Sequence, residues 1–374
     1  MLNVFYFYNK LINFMSGYFN KKRKKVVFCT YVTTFLGGAE RRFLRIFSNI
    51  PQPVQPIIFI LQDKNKVAKE VIAPYISNGV EVRIFSNLFT LLLNLILVSP
   101  LWVCGFRPGW RLMMVFIVAK LINTKRLLSA VDTKYIARLN SGKNDISLRK
   151  LKFCINISSV VDVLYPSALN EYKRLFPRKS FLLTPGSFTD LDIFQVGKKE
   201  KWIVFASTLT MGKNPDLFIK AIQLIKDSIV EFNYKCFICG DGVLYEEMRS
   251  LVRELECEDI ISFTGRVELQ NILPETEIFC SLQDINNYPS QALIEAIASG
   301  CYCVATDCGD TSRLVKSEFG KLVSSNIQEI AMAVNEAMRF DDVKKEAIAN
   351  RARLFAESCC TIEKSVSYFS SILR

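Results

Sequence analysis

Asn287-Tyr-Pro-Ser-Gln-Ala-Leu-Ile-Glu295-Ala-Ile-Ala-Ser-Gly300 reads as a sharp turn followed by a short helix. Pro289 and Ser290 suit the opening of that helix, where the first backbone N–H groups have no intrahelical partner. A start of this kind attracts a phosphate or diphosphate. Glu295 lies one turn inside, far enough along to reach past a bound phosphate to a sugar hydroxyl. The flanking runs Ile278-Phe-Cys-Ser281 and Tyr302-Cys-Val-Ala-Thr306 read as buried strands. Strand, turn, helix and strand in that order are the repeat of a doubly wound parallel sheet.

The same alternation extends in both directions. Downstream of residue 200 come Trp202-Ile-Val-Phe-Ala206, a helix over 216–227, Tyr234-Lys-Cys-Phe-Ile-Cys239, a helix over 244–255, Ile260-Ile-Ser-Phe263 and finally Gly320-Lys-Leu-Val323. Upstream, strands are predicted at Val26-Val-Phe-Cys-Thr30, Pro56–Leu61, Val80–Ile84, Leu101–Gly105 and Lys125–Ser129, with helices after Gly38 and over 67–78, 88–98 and 109–123. The chain therefore reads as α/β, with two facing Rossmann-like parallel-sheet domains and a ligand cleft between them. The boundaries expected are an apolar and basic extension over 1–23, a first domain over 24–185, a second over 186–355, and a last helix over 356–374 that returns to the first domain.

A length of 374 residues fits two such domains. The 12 cysteines are scattered through apolar runs and include no CxxC pair, so they read as small core residues in a reducing compartment. No histidine is present, which leaves a metal site with only cysteine or carboxylate ligands; no metal and no bound cofactor are expected. Residues 1–187 hold 28 Lys/Arg against 8 Asp/Glu, whereas residues 188–374 hold 20 against 28. A basic half joined to an acidic half implies different partners for the two. The basic half suits an anionic membrane surface or a phosphorylated acceptor. No nucleic-acid-binding motif accompanies it, and no nucleic-acid partner is expected.

Two apolar stretches bear on the membrane. Residues 1–19 are apolar and aromatic and run into Lys21-Lys-Arg-Lys-Lys25. This order is not that of a secretory signal, and Asn3, Asn9, Lys10 and Asn13 interrupt any spanning helix. Two readings stand: a segment lying in the interface of an anionic leaflet, or an extension that only keeps the following strand soluble. Residues 88–106 are also very apolar; Pro100 divides them into a helix and a buried strand, with a membrane-dipping helix as the other reading.

Five short motifs occur along the chain: Gly37-Gly38-Ala-Glu, Gly212-Lys213-Asn-Pro215, Gly240-Asp-Gly242, Phe263-Thr-Gly265 and the 287–300 segment. In this order and spacing they resemble the family 4 glycosyltransferases of GT-B fold, over about residues 24–355. These are retaining transferases common in bacterial polysaccharide assembly. The Asn-Tyr-Pro-Ser-Gln form of the last motif is similar to that of capsule and O-antigen transferases.

The resemblance implies roles for particular residues. Glu295 would hold the ribose hydroxyls of the nucleotide. Asn287, where the family carries an acid, would meet the donor sugar. The amides of Ser290, Gln291 and Ala292 would meet the diphosphate, and Lys213 would offset the charge that grows on it. Those implied to be catalytic are Lys213, Asn287 and Glu295. Thr208 replaces a family arginine. Gly37 and Gly38 would admit the phosphates closely. Gly265 and Val267 would line the base. The family's histidine is absent, and Arg138 stands in roughly its region of sequence.

The resemblance implies transfer of a sugar, without metal and with retained configuration, from a nucleoside-diphosphate sugar to a polysaccharide or lipid-linked acceptor. The nucleotide-sugar is then a substrate. The expected location is cytoplasmic, peripheral on the inner face of the membrane. Two other readings stay open: a donor-binding protein without catalysis, given Thr208, Asn287 and the missing histidine, or a nucleotide-sugar epimerase of the same fold. Taken alone, Glu295 also reads as a solvated acid on an amphipathic helix, and Lys213-Asn-Pro as a helix-entry turn. Asp190-Leu-Asp192 mimics a metal-binding acid pair but falls at the domain boundary.

Overall fold

A computed structural model describes residues 25–32, 38–62, 72–77, 79–131, 145–286 and 288–374. The 1–23 extension, Gly37, Arg138, Asn287 and half of the helix expected over 67–78 lie outside the described residues. The chain divides into two compact units, one formed by residues 1–185 with 363–374 and the other by residues 186–362.

In the first unit the order is β1 (Lys25–Val32), α1 (Gly38–Ser48), β2 (Gln55–Gln62), β3 (Glu81–Phe85), α2 (Leu88–Val98), β4 (Trp102–Gly105), α3 (Trp110–Leu121), β5 (Lys125–Ala130), α4 (Ile146–Ile157), β6 (Val160–Val163), α5 (Pro166–Leu175) and β7 (Phe181–Leu183). Among the described residues the strands pair in the order β3-β2-β1-β4-β5-β6-β7, all parallel. The order reverses between β1 and β4, which is where such sheets open a crevice at their carboxyl edge.

The apolar run at 88–106 splits for visible reasons. Asn87 caps α2 by accepting from the Thr90 N–H at 2.9 Å. Ser99 ends it in the left-handed conformation (φ 43°), donating its N–H to the Leu95 carbonyl at 2.9 Å, and Pro100 follows. The strand after it, Trp102–Gly105, is buried throughout. No helix among the described residues is long and apolar enough to cross a membrane.

The second unit runs β8 (Glu200–Ala206), α6 (Pro215–Leu224), α7 (Lys226–Glu231), β9 (Lys235–Cys239), α8 (Tyr245–Glu254), β10 (Ile261–Gly265), β11 (Thr276–Ser281), α9 (Gln291–Ala298), β12 (Tyr302–Thr306), β13 (Gly320–Val323), α10 (Ile327–Met338) and α11 (Asp342–Cys359). Its strands pair in the order β10-β9-β8-β11-β12-β13, again all parallel, with the reversal between β8 and β11. The helix expected over 216–227 is two helices, because the backbone at Ile225 (φ −116°, ψ 22°) leaves the helical region. Side-chain caps at Asn326 and Asp341 start α10 and α11.

A last helix, α12 (Ile362–Leu373), belongs to the first unit. Phe369 is fully buried there, with ring centroids 5.9 Å from Phe43 and 5.7 Å from Phe47. Beside it Tyr368 donates to the buried carboxylate of Asp162 at 2.5 Å. None of the 12 cysteines is in a disulfide, and ten are buried. Burial pushes the Cys280 thiol up to about 12, so it behaves as an apolar core group.

Candidate active site

The site builds from the carboxyl edge of the second sheet. β8 ends at Ala206 and hands the chain to the loop 207–214, while β11 ends at Ser281 and hands it to the loop 282–290. These strands are neighbours at the reversal of order, so their loops start side by side. Three hydrogen bonds tie them. The Asp284 N–H donates to the Gly212 carbonyl at 3.3 Å. The Asn214 side chain donates to the Leu282 carbonyl at 2.9 Å. The Lys213 ammonium donates to Gln283 Oε1 at 3.0 Å.

Glycine is required at two points of this edge. Gly212 has φ +80°, and a Cβ there would stand 3.0 Å from Asp284 Oδ1. Gly240 follows β9 with φ +146°, and a Cβ would fall 1.8 Å from the Ser207 carbonyl oxygen. The Gly240 N–H donates to the Gly265 carbonyl at 2.8 Å, which brings the end of β10 to the same edge. Gly265 itself has φ +66° with open space where a Cβ would point.

Lys213 is half-buried, and burial lowers its pKa from the ordinary lysine value. Gln283 is buried, with its backbone carbonyl accepting from the Thr306 hydroxyl. The ammonium is therefore held by a neutral oxygen rather than neutralised by a carboxylate.

Helix α9 follows the second loop. Ser290 is its cap position, two residues later than a start at Pro289 would place it, and its side chain makes no cap hydrogen bond. The first N–H groups of the helix thus have no capping side chain from Ser290. Gln291 donates to Glu295 Oε1 at 3.0 Å and to the Phe188 carbonyl at 3.2 Å, and accepts from the Ser187 hydroxyl at 3.4 Å. This fixes the face of α9 that carries Glu295. Ahead of it, Asn286 Oδ1 accepts from the Tyr288 N–H at 3.2 Å, and Asn286 Nδ2 donates to Asp310 at 3.2 Å. Tyr288 lies against Gly186, where a Cβ would come 3.1 Å from its hydroxyl.

The structure thus sets Lys213 and Thr208 in one loop, ties that loop to the one leading into Ser290, Gln291, Ala292 and Glu295, and puts Gly265 next to the Gly240 turn. Val267 is half-buried against the core of the unit. Gly38 is the exposed first residue of α1 in the other unit. Sequence reasoning missed Gln283, Asp284 and Asn286. Their signal was position alone: they directly follow a buried strand at the reversal of sheet order. Among the described residues no group of three or more His, Cys, Asp or Glu could hold a metal ion.

Residues 188–355 match the family model "Glycosyl transferases group 1". The chain is 28% identical to a Campylobacter jejuni GalNAc-alpha-(1->4)-GalNAc-alpha-(1->3)-diNAcBac-PP-undecaprenol alpha-1,4-N-acetyl-D-galactosaminyltransferase, over 53% of this chain and 54% of the relative. It is 25% identical to the N-acetylgalactosamine-N,N'-diacetylbacillosaminyl-diphospho-undecaprenol 4-alpha-N-acetylgalactosaminyltransferase of the same organism, over 58% of this chain and 61% of the relative. The chain therefore spans a little over half the length of the curated relatives it matches. Among solved structures, HepE of Anabaena in complex with UDP superposes with a TM-score of 0.76 at 14% identity, covering 93% of this chain and 99% of that one. WaaG, a glycosyltransferase involved in lipopolysaccharide biosynthesis, superposes with a TM-score of 0.65 at 15% identity, covering 93% and 99%. The fold of the chain is that of these GT-B proteins.

Proposed function

With residues 188–355 matching the group 1 glycosyltransferase model as premise, we propose that this protein transfers a sugar from a nucleoside-diphosphate sugar to a lipid-linked or polysaccharide acceptor. The observation that carries the reading is Lys213, held by Gln283 in a loop tied to the one leading into the start of α9, which the Ser290 side chain leaves uncapped. The diphosphate rests at that helix start, where backbone N–H groups and the helix dipole favour an anion. Lys213 meets the charge that develops as the sugar–phosphate bond breaks. Glu295, oriented by Gln291, accepts from the ribose hydroxyls. The resemblance assigns the donor-sugar contact to Asn287, and Gly265 with Val267 borders the base.

The reaction forms a bond from the acceptor oxygen to the anomeric carbon and breaks the bond from that carbon to the diphosphate oxygen. The acceptor attacks from the face the diphosphate leaves, and its proton passes to the departing phosphate oxygen. Configuration is retained and no metal takes part. A uridine diphosphate donor is favoured because HepE has been solved with UDP and UDP-glucose. A polyprenyl-diphosphate-linked acceptor is favoured by the names of the Campylobacter relatives. The acceptor is then membrane-borne, the protein sits peripherally on the cytoplasmic leaflet through its basic first half, and the product feeds a capsule- or O-antigen-type glycan.

The test is transfer of radiolabelled sugar from a panel of UDP-sugars to polyprenyl-diphosphate-linked acceptors, with the product anomer read by NMR and a chelator added in parallel. Transfer with retention, indifferent to the chelator, is expected. Inversion or loss with chelator overturns the mechanism. Donor binding without transfer on every acceptor favours the inactive donor-binding reading, and acceptor-free change of the sugar favours the epimerase.

A further inference from the structure

Helices α2, α3 and α4 lie side by side, α3 packing between the other two. Their outward residues break the usual rule for a solvated face. On α2, Phe89, Leu93, Ile96 and Leu97 are exposed, Phe89 at 70% and Leu97 at 67%. On α3 the exposed set is Trp110, Met114 and Leu121, the last at 80%. On α4 it is Ile146 and Phe153. Each set follows helical spacing, so each helix turns a stripe of large apolar side chains outward. Isolated exposed apolar residues are ordinary, but three adjacent stripes are a patch.

The charge on these helices is one-sided. No Asp or Glu occurs from residue 88 to 131 or from 146 to 161. The same segments carry Arg107, Arg111, Lys120, Lys125, Arg126, Arg149, Lys150 and Lys152, of which Arg107, Lys120, Lys125, Arg149 and Lys152 are exposed. A protein partner would ordinarily present a mixed surface. Apolar stripes bordered by an excess of cations complement a bilayer with anionic headgroups, where apolar groups enter the acyl boundary and cations remain at the phosphates; the neighbouring acids are Asp145, which caps α4, and Glu81, which pairs with Arg83 beside α2. The Arg111 guanidinium lies 3.9 Å over the Tyr31 ring and 5.1 Å from the Trp110 ring, and indole and guanidinium both suit the headgroup level. None of the three helices is long and apolar enough to span.

We propose that the outer face of α2, α3 and α4 is a docking surface for an anionic bilayer. The inference deepens the proposed function and rests on its membrane-borne acceptor for a purpose, while its evidence comes from this face alone.

The experiment uses the full chain and measures sedimentation with vesicles of phosphatidylcholine, with and without phosphatidylglycerol. Leu97→Asp with Leu121→Asp is expected to lower partitioning onto anionic vesicles about ten-fold or more. Arg149→Ala with Lys152→Ala is expected to lower it about thirty-fold, and to change nothing on neutral vesicles. Both pairs are exposed, so circular dichroism and Tm should match the parent. In the parent, brominated acyl chains should quench a fluorescence component that Trp110→Phe removes. Parent-like binding by both variants overturns the proposal, as does a parent that ignores vesicles. A parent dimer split by Leu97→Asp with Leu121→Asp in sedimentation velocity also overturns it, assigning the face to a second copy. Transfer to a short-chain acceptor in detergent should survive both variants. If the parent shows no transfer while the vesicle pattern holds, the proposed function falls and the docking face stands.

Discussion

Lys213 and Gln283 stand 70 positions apart in the sequence, yet the lysine ammonium donates to the glutamine side-chain oxygen at 3.0 Å. The bond crosses from the loop after β8 to the loop after β11, where the sheet reverses its strand order. A neutral partner positions the cation without cancelling it. Lys213→Ala is therefore expected to reduce kcat by about 10²–10³-fold, the range found when one group that stabilises developing charge is removed. Because burial lowers the Lys213 pKa, the alkaline limb of the kcat profile should begin below the ordinary lysine range. Lys213→Arg should move that limb upward while retaining part of the rate. A parent limb at the ordinary lysine pKa would contradict this role.

Gln291 and Glu295 form an i, i+4 pair on α9 at 3.0 Å. In the proposed role, removing the acid would take away a charge-assisted hydrogen bond to the nucleotide, of about 1.5–3 kcal/mol. Glu295→Ala should raise the donor KM about ten-fold or more and reduce thermal stabilisation by the nucleotide. Unaltered stabilisation in that variant would place the ribose elsewhere.

Two glycines at the same edge should respond differently to alanine. At Gly240 a Cβ would fall 1.8 Å from the Ser207 carbonyl oxygen, which is backbone and cannot swing aside. Gly240→Ala should leave the second unit unfolded or insoluble. Gly265 has φ +66° but open space around a Cβ, so Gly265→Ala should cost only about 1–2 kcal/mol for the left-handed conformation. Chemical denaturation of the two variants decides the matter.

Asp162 in the first unit gives a pH dependence. Burial pushes its carboxyl from 3.8 up to about 6, against opposing contributions from Tyr368, Arg42 and Ser129. Its Oδ2 is buried without a hydrogen-bond partner among the described residues. The folded state thus holds the proton more tightly than the unfolded state. This contribution to stability is present in full below pH 3.8 and lost as pH rises through about 6, a difference on the order of 3 kcal/mol. Asp162→Asn keeps an acceptor for Tyr368 and cannot ionise. The advantage of the variant in Tm over the parent should grow from pH 4 to about 6 and then level off. A constant difference across that window would show that Asp162 does not titrate there.

Much of the fold was legible in sequence because buried parallel strands are unbroken apolar runs and the breaks between them carry proline, glycine or a capping residue. Trp202–Ala206 and Tyr302–Thr306 show the first, and Asn87 with Pro100 the second. The break at Ile225 was not legible, since Ile225 itself carries no helix-stopping signal. In the site, Gln291 and Glu295 could be paired from helical spacing. Gln283 could not, because its bond to Lys213 exists only once two distant strands lie adjacent. Asn286 was hidden likewise, its partner Asp310 lying beyond the next strand.

The order in which the chain is made bears on α12. Phe369 closes over Phe43 and Phe47, yet all of residues 186–362 separate that helix from the remainder of its unit. On the ribosome, the earlier sheet must therefore linger with those rings uncovered while the later one is translated and folds. Maturation of the N-terminal part finishes last, and a nascent chain stalled near residue 361 would leave it the aggregation-prone half.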